Sequence, residues 1–355
     1  MRLAVSLSHH TLFRLAGADI LGPVLHAVGR GLLSLFTLHR FADPQLEVMG
    51  HDPAVVRDHL AYLRRHRYRL LSLSDVLKLL DDAGGGPMPP AVAFTVDDGY
   101  ADFARIGAPI FAEYDCPVTA FVPTGFLDRQ LWLWWDRVAY LFTETGRSSV
   151  VFGLGSEDRA YRWSTPAERA RIQDDVLRHL ELLDAPEREA TIASLSQQLD
   201  VSLPASPPEA FAPMTWDDVR RAANLGVTFG PHTVTHRLLT RASDEDCNWE
   251  IQESYRRLLA ETDASVPVFC YPGGQAGPRE LEAAQCAGFK SAVTTTPGYV
   301  TAHGAQVGGP LGLFALPRFP YPTDRSHLVG VVSGLARLRS AFRTVSPASV
   351  AGKQQ

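Results

Sequence analysis

Along most of the chain, short continuous apolar runs alternate with stretches whose apolar residues recur at helical spacing. Residues 32–38 and 91–96 are nearly continuous apolar runs, the mark of strands buried on both faces, and 68–73, 117–122, 227–230, 266–270 and 291–295 read as further short strands. Between them, residues 53–65, 100–114, 215–224, 243–262 and 279–287 read as helices. A further helix is expected after Ser74 as its cap, with Val76, Leu77, Leu79 and Leu80 on its inner face, ending at a Gly/Pro break over 84–90. Strands alternating with helices of this size imply a parallel sheet covered by helices. The pattern therefore predicts an α/β fold, a distorted (β/α) barrel of about seven parallel strands.

The alternation breaks once. Residues 131–210 open with Leu131-Trp132-Leu133-Trp134-Trp135-Asp136 and continue through charged, helix-prone sequence to a Pro/Ser loop at 204–208. They read as a helical insertion within a barrel spanning 33–330. An apolar, amphipathic lead (1–32) precedes that barrel, and a C-terminal helix with a frayed tail (331–355) follows it. The lead is interrupted by His9, His10, Arg14, Asp19, His26 and Arg30, so neither a secretory signal nor a spanning helix is expected. A cytoplasmic location follows as an expectation, with peripheral membrane contact through 11–36 left open.

Composition narrows the function. The chain has 355 residues, a net charge of −5, and 34 basic residues that form no stripe, which argues against nucleic acid as a partner. Cys116, Cys247, Cys270 and Cys286 are scattered without a CxxC pair, so reduced thiols are expected, not a zinc knuckle or a disulfide framework. No phosphate-cradling Gly loop or nucleotide fingerprint occurs, so no organic cofactor is expected.

Two motifs at strand ends carry chemistry. Phe94-Thr95-Val96-Asp97-Asp98-Gly99 puts adjacent carboxylates at the end of a buried strand, where their charge needs compensation. Alone, this could be a metal ligand beside a proton acceptor, or a turn capping the next helix. Gly230-Pro231-His232-Thr233-Val234-Thr235-His236 places two His four apart after another strand, where both can face one ion. Two imidazoles and one carboxylate make a three-ligand site with an open position, as catalytic zinc requires.

With these motifs the chain resembles the polysaccharide deacetylases of the NodB-homology type, carbohydrate esterase family 4. Thr95 to Gly99 is similar to their T-F-D-D-G, and His232 to His236 to their H-[ST]-x-x-H. The resemblance covers 33–320, with 131–210 outside the shared core. It implies Asp97 as catalytic base, and Asp98, His232 and His236 as ligands of a divalent metal, Zn2+ by the donor set. The family's R-P-P-Y-G is degraded here to Cys270-Tyr271-Pro272-Gly273-Gly274. The loop at Tyr271 and Gly273 could still offer a backbone N–H to an oxyanion. Arg318, in Leu316-Pro317-Arg318, is the candidate for the displaced Arg. The general-acid His of the family's last motif is not visible near the C-terminus; His39, ending the first strand, takes its place if that motif is circularly permuted.

The implied reaction is hydrolysis of the N-acetyl group of an amino sugar in a polysaccharide or its precursor, an N-acetylated carbohydrate being the partner. Alternatives are hydrolysis of another amide on the same site and a catalytically silent sugar-binding homologue. Trp134 and Trp135 are either core or a platform for sugar rings. His51, His59, His66 and His179 are expected at the surface.

Overall fold

The computed structural model describes residues 31–81, 90–154, 157–301, 309–335 and 337. The lead at 1–30, most of the stretch expected to meet a membrane, and the whole tail after 337 therefore lie outside the described residues. Among those described, no helix is long and apolar enough to cross a membrane.

Two units divide the chain: 1–124 with 214–355, and 125–213. The larger is built on strands β1 (Leu33–Leu38), β2 (Arg69–Leu70), β3 (Ala91–Val96) and β4 (Val118–Val122). The smaller unit contributes β5 (Ser149–Leu154) and β6 (Glu157–Arg162), after which the larger resumes with β7 (Val227–Pro231), β8 (Val268–Cys270), β9 (Ser291–Val293), β10 (Tyr299–Val300) and β11 (Phe319–Pro320). β1, β3, β4 and β7 pair parallel in that order. A parallel bridge Phe229–Ser265 continues to the β8–β9 pair, and a bridge Val293–Leu316 leads to β11, which pairs parallel with β1. The circuit closes as the predicted (β/α) barrel. It is distorted because two of its seams are single bridges, and β10 adds antiparallel to β1.

Strand periodicity sorts the side chains. Leu33, Leu35, Ala91, Ala93, Phe121, Val268, Cys270, Val293 and Leu316 form one buried cluster, joined by Leu73 and Val76 of the helix Leu73–Asp81. Phe269 and Tyr271, the alternate positions, belong instead to a cluster with Ile251 and Ala284 of the flanking helices and Phe289 of the loop that follows. Gly230 is required where β7 passes β8. A Cβ there would meet the Phe121 ring at 2.5 Å and the Val268 carbonyl at 2.7 Å.

Several local expectations are corrected. The cap of the helix Leu73–Asp81 is Ser72, whose Oγ accepts the Asp75 N–H at 3.1 Å, two residues before the expected Ser74. The helix expected over 100–114 opens with a π-helical turn, Phe103–Gly107, before the α-helix Ala108–Glu113. Pro109 has no N–H to continue an α ladder, so the register widens ahead of it. His59 is not at the surface: it is wholly buried, and its Nδ1 lies 3.0 Å from the Tyr321 hydroxyl. His51 packs edge-on against Tyr321 at 5.2 Å, and His179 against Phe152 at 5.0 Å.

The unit 125–213 has its own core, formed by Val138, Leu141 and Phe142 with Val176, Leu180, Ile192 and Leu195. The segment expected to be wholly helical also carries an antiparallel ribbon, β5–β6. Val150 and Phe152 of β5 are buried while Val151 is exposed, the alternation of a half-buried strand. Trp134 packs into this core, with the Arg188 guanidinium 5.1 Å from its ring and Trp135 edge-on at 5.6 Å.

Candidate active site

β3 ends at Val96, and the Asp97 N–H bonds the Leu38 carbonyl of β1 at 2.9 Å. Asp98 and Gly99 then turn sharply, both with positive φ (72° and 74°). Asp97, Asp98 and His232 are buried at the C-terminal ends of the parallel strands. The strained left-handed conformation recurs at Thr233 (φ 66°) and His236 (φ 56°), so three of the non-glycine residues that bear it lie at one site.

The two carboxylates have different partners. Arg318, without measurable exposure, donates Nη1–H to Asp97 Oδ1 and Nη2–H to Asp97 Oδ2, both at 2.7 Å. Its remaining donors go to the Thr294 carbonyl (2.9 Å), the Thr95 hydroxyl (2.9 Å) and Cys270 Sγ (3.2 Å). Such a planar fork is the geometry that guanidinium offers and ammonium does not. Burial works against an ionised Asp97, but the Arg318 charge and hydrogen bonds, helped by His232 and His39, hold its carboxyl below the usual range. Cys270 fills the place of the displaced Arg as a neutral thiol, because burial pushes it well up despite Arg318.

Asp98 faces the histidines. Its Oδ1 lies 3.3 Å from His236 Nε2 and 3.6 Å from His232 Nε2, and the two Nε2 atoms are 3.1 Å apart. A tetrahedral ion with bonds of about 2.1 Å separates its ligand atoms by about 3.4 Å, so this triangle fits one. The tautomer fits as well. His232 Nδ1 lies 2.8 Å from the Cys270 carbonyl, which makes it the N–H and leaves Nε2 as a lone pair aimed at Asp98 and His236. Burial and the neighbouring His236 pull His232 down to about 4, so it is neutral at physiological pH. Burial also opposes ionisation of Asp98, yet the His236 hydrogen bond and the charges of His39, His236 and His232 hold it far below an ordinary carboxyl. Asp97, His232 and Cys270 form a second group within ligand distance. It is a poor cation site, since Arg318 already neutralises Asp97 and the thiol stays protonated.

His39 is exposed just past β1, within electrostatic range of both carboxylates. In the loop after β8, Tyr271, Gly274 and Gln275 give their N–H groups to Val293, Tyr271 and Pro272. Gly273, with φ 62°, has no acceptor for its N–H among the described residues, and neither has Ala276. Tyr271 does not offer the expected amide: its N–H goes to the Val293 carbonyl at 3.4 Å, and its ring is buried against Phe269 at 5.2 Å.

Glu250 was not foreseen. It lies on the helix Asp244–Glu261, is 1% exposed, and accepts the Val234 N–H at 2.7 Å and the Thr235 N–H at 2.9 Å, with the Thr235 hydroxyl also donating to it. It holds the turn between the two histidines. Thr233 Oγ1 completes that turn by accepting the His236 N–H at 2.9 Å.

The family model described as polysaccharide deacetylase matches residues 84–292. No curated protein matches the chain by sequence. Among solved structures, the chain is similar to the Streptococcus pyogenes deacetylase PplD, solved in complex with acetate, at 17% identity and a TM-score of 0.53, over 89% of this chain and 99% of that one. It is also similar to a polysaccharide deacetylase from Bacillus cereus, at 12% identity and a TM-score of 0.51, over 86% of this chain and 69% of that one. At such identities the likeness carries the fold, and the barrel agrees with it.

Proposed function

The chain belongs to the polysaccharide deacetylase family, a family of hydrolytic deacetylases, and from that premise we propose that it removes the N-acetyl group from an amino sugar in a metal-dependent reaction. The observation that carries this reading is the pairing of Asp97 with Arg318, 2.7 Å apart, directly beside the Asp98–His232–His236 triangle. A binding protein needs only the triangle; a buried carboxylate kept ionised next to it serves hydrolysis.

Asp98, His232 and His236 hold the cation, and Zn2+ is the choice that matches one oxygen and two imidazole donors. When bound, that cation supplies Lewis acidity, which polarises the acetyl carbonyl and makes water a nucleophile near neutral pH. Asp97 is the base. Its Oδ2 already accepts from Arg318 and from the Thr37 hydroxyl (3.2 Å), whereas among the described residues Oδ1 accepts only from Arg318 and keeps a lone pair for the proton of the attacking water. Arg318 fixes the carboxylate plane and keeps it ionised. The Gly273 N–H is the proposed donor to the oxyanion. His39 delivers a proton to the amine, which is too basic to leave as an anion.

Acetate release from N-acetylglucosamine oligomers and lipid-linked N-acetylated precursors, with and without chelator, tests the reading. Release that is abolished by chelator, restored by Zn2+ and lost in Asp97→Asn is expected. Release that survives Asp97→Asn unchanged would remove the mechanism.

A further inference from the structure

Asp102 lies just past the catalytic carboxylates, at the start of the π-helical turn, and is 1% exposed. Both of its oxygens are spent on the two residues that follow His39. Oδ2 accepts the Arg40 Nε–H at 2.6 Å, and Oδ1 accepts the Phe41 N–H at 2.7 Å. Arg40 is held a second time, its guanidinium carbon 3.9 Å from the centre of the Tyr100 ring. On the other side of His39, the Leu38 carbonyl accepts the Asp97 N–H at 2.9 Å. His39 is therefore one exposed residue between two ties, and both ties run to the short segment that carries Asp97.

We infer that Asp102 is a positioning residue that sets where His39 stands relative to Asp97, and so governs proton delivery to the leaving group. The inference rests on the proposed reading of His39 as general acid. In the step concerned, the C–N bond breaks, its electron pair goes to nitrogen, and the His39 imidazolium proton follows to that nitrogen. An amine needs that proton. A nitrophenolate leaves from an aryl acetate without it. A displaced acid therefore slows amide hydrolysis and spares ester hydrolysis, whereas damage to the metal triangle, the base or the fold slows both. Misplacing a reacting group by about 1 Å costs on the order of 100-fold in rate.

The test compares kcat and KM for an N-acetylglucosamine oligomer and for 4-nitrophenyl acetate, using the metal-loaded full chain and its His39→Ala, Asp102→Ala and Asp102→Asn variants. His39→Ala is expected to lower kcat on the amide by roughly 100- to 10,000-fold while the ester rate stays near wild type. Asp102→Ala is expected to lower kcat on the amide by about 100-fold, with amide KM, ester rate and bound metal unchanged. Asp102→Asn, which keeps an acceptor for the Phe41 N–H, should fall between. It carries the test if the alanine variant does not fold. Amide-selective loss in His39→Ala without it in either Asp102 variant would overturn the inference and leave the reading of His39 standing. Absence of that selectivity in His39→Ala itself would overturn both.

Discussion

Asp97 and Asp98 are neighbours in sequence, both buried and both held ionised, but the two sides of the site achieve this by opposite means. On one side a permanent cation of the chain itself, Arg318, takes both oxygens of Asp97. On the other, two imidazoles face Asp98, and His232, neutral at physiological pH, orients the carboxylate without cancelling its charge. The Arg318 side is electrically complete as folded. The histidine side has no such permanent cation, and its ligand atoms are grouped as a metal ion would need them. A fixed counter-ion suits the proposed base, which must return to its charged form after each proton it takes, and an open triangle suits the proposed ligand of an exchangeable ion.

The largest effect that would sharpen this contrast is on rate. Asp97→Asn should lower acetate release by roughly 100- to 10,000-fold, the usual range for a lost acid–base group, with Zn2+ affinity unchanged. A parallel fall in affinity would show that the two sides are not separate.

Next comes stability. Arg318→Met leaves a buried carboxylate unpaired, which costs about 3–5 kcal/mol at neutral pH. Asp97 titrates lower in the folded chain than unfolded. Its contribution is therefore present above the unfolded carboxyl value of about 4 and lost as pH falls through the lower folded value. Urea titrations should accordingly show the gap between wild type and Arg318→Met narrowing as pH drops from 7 into that range. A gap independent of pH would point to packing instead of charge.

The third effect reads the other side. Adding Zn2+ to chelator-treated protein should raise its stability by about 2.7 kcal/mol at one hundred times the dissociation constant. Thermal denaturation should show that gain surviving in Arg318→Met and vanishing when His232 and His236 are both replaced by Ala. The smallest effect concerns the turn between the histidines. Glu250→Gln puts an amide donor against backbone N–H groups, and should weaken Zn2+ binding by about tenfold in a chelator competition, as outer supports of a metal site typically do. An unchanged affinity would confine Glu250 to packing.

Much of this was legible in the sequence because strands and their ends announce themselves locally. Asp97, Asp98, His232 and His236 each follow an apolar run directly, so the barrel topology alone brings them to one face. Arg318 was legible only as a candidate, because its partner lies 221 positions earlier. Tyr271 is turned from the site by one step of the pleat, which a loop motif does not reveal: Cys270 points into the barrel and Tyr271 out to the helices. Glu250 and Asp102 carry no motif. They matter through backbone amides 16 and 61 positions away, and a carboxylate bonded to amides looks in sequence like any surface acid. His59 was misread because a histidine on a helix reads as exposed until a buried hydroxyl such as that of Tyr321 is known to meet it.

The 221-residue reach from Asp97 to Arg318 also bears on how the chain acquires its fold. β3 and β4 can pair early, yet the carboxylate at the end of β3 has no counter-ion until the last staves dock, through the single bridge Val293–Leu316 and the pairing of β11 with β1. Every partly folded state that lacks this closure must leave Asp97 facing water or protonated. The ion pair thus acts as a late latch of high contact order. It rewards completion of the ring, and it couples the ionised state of the proposed base to the docking of the final segment.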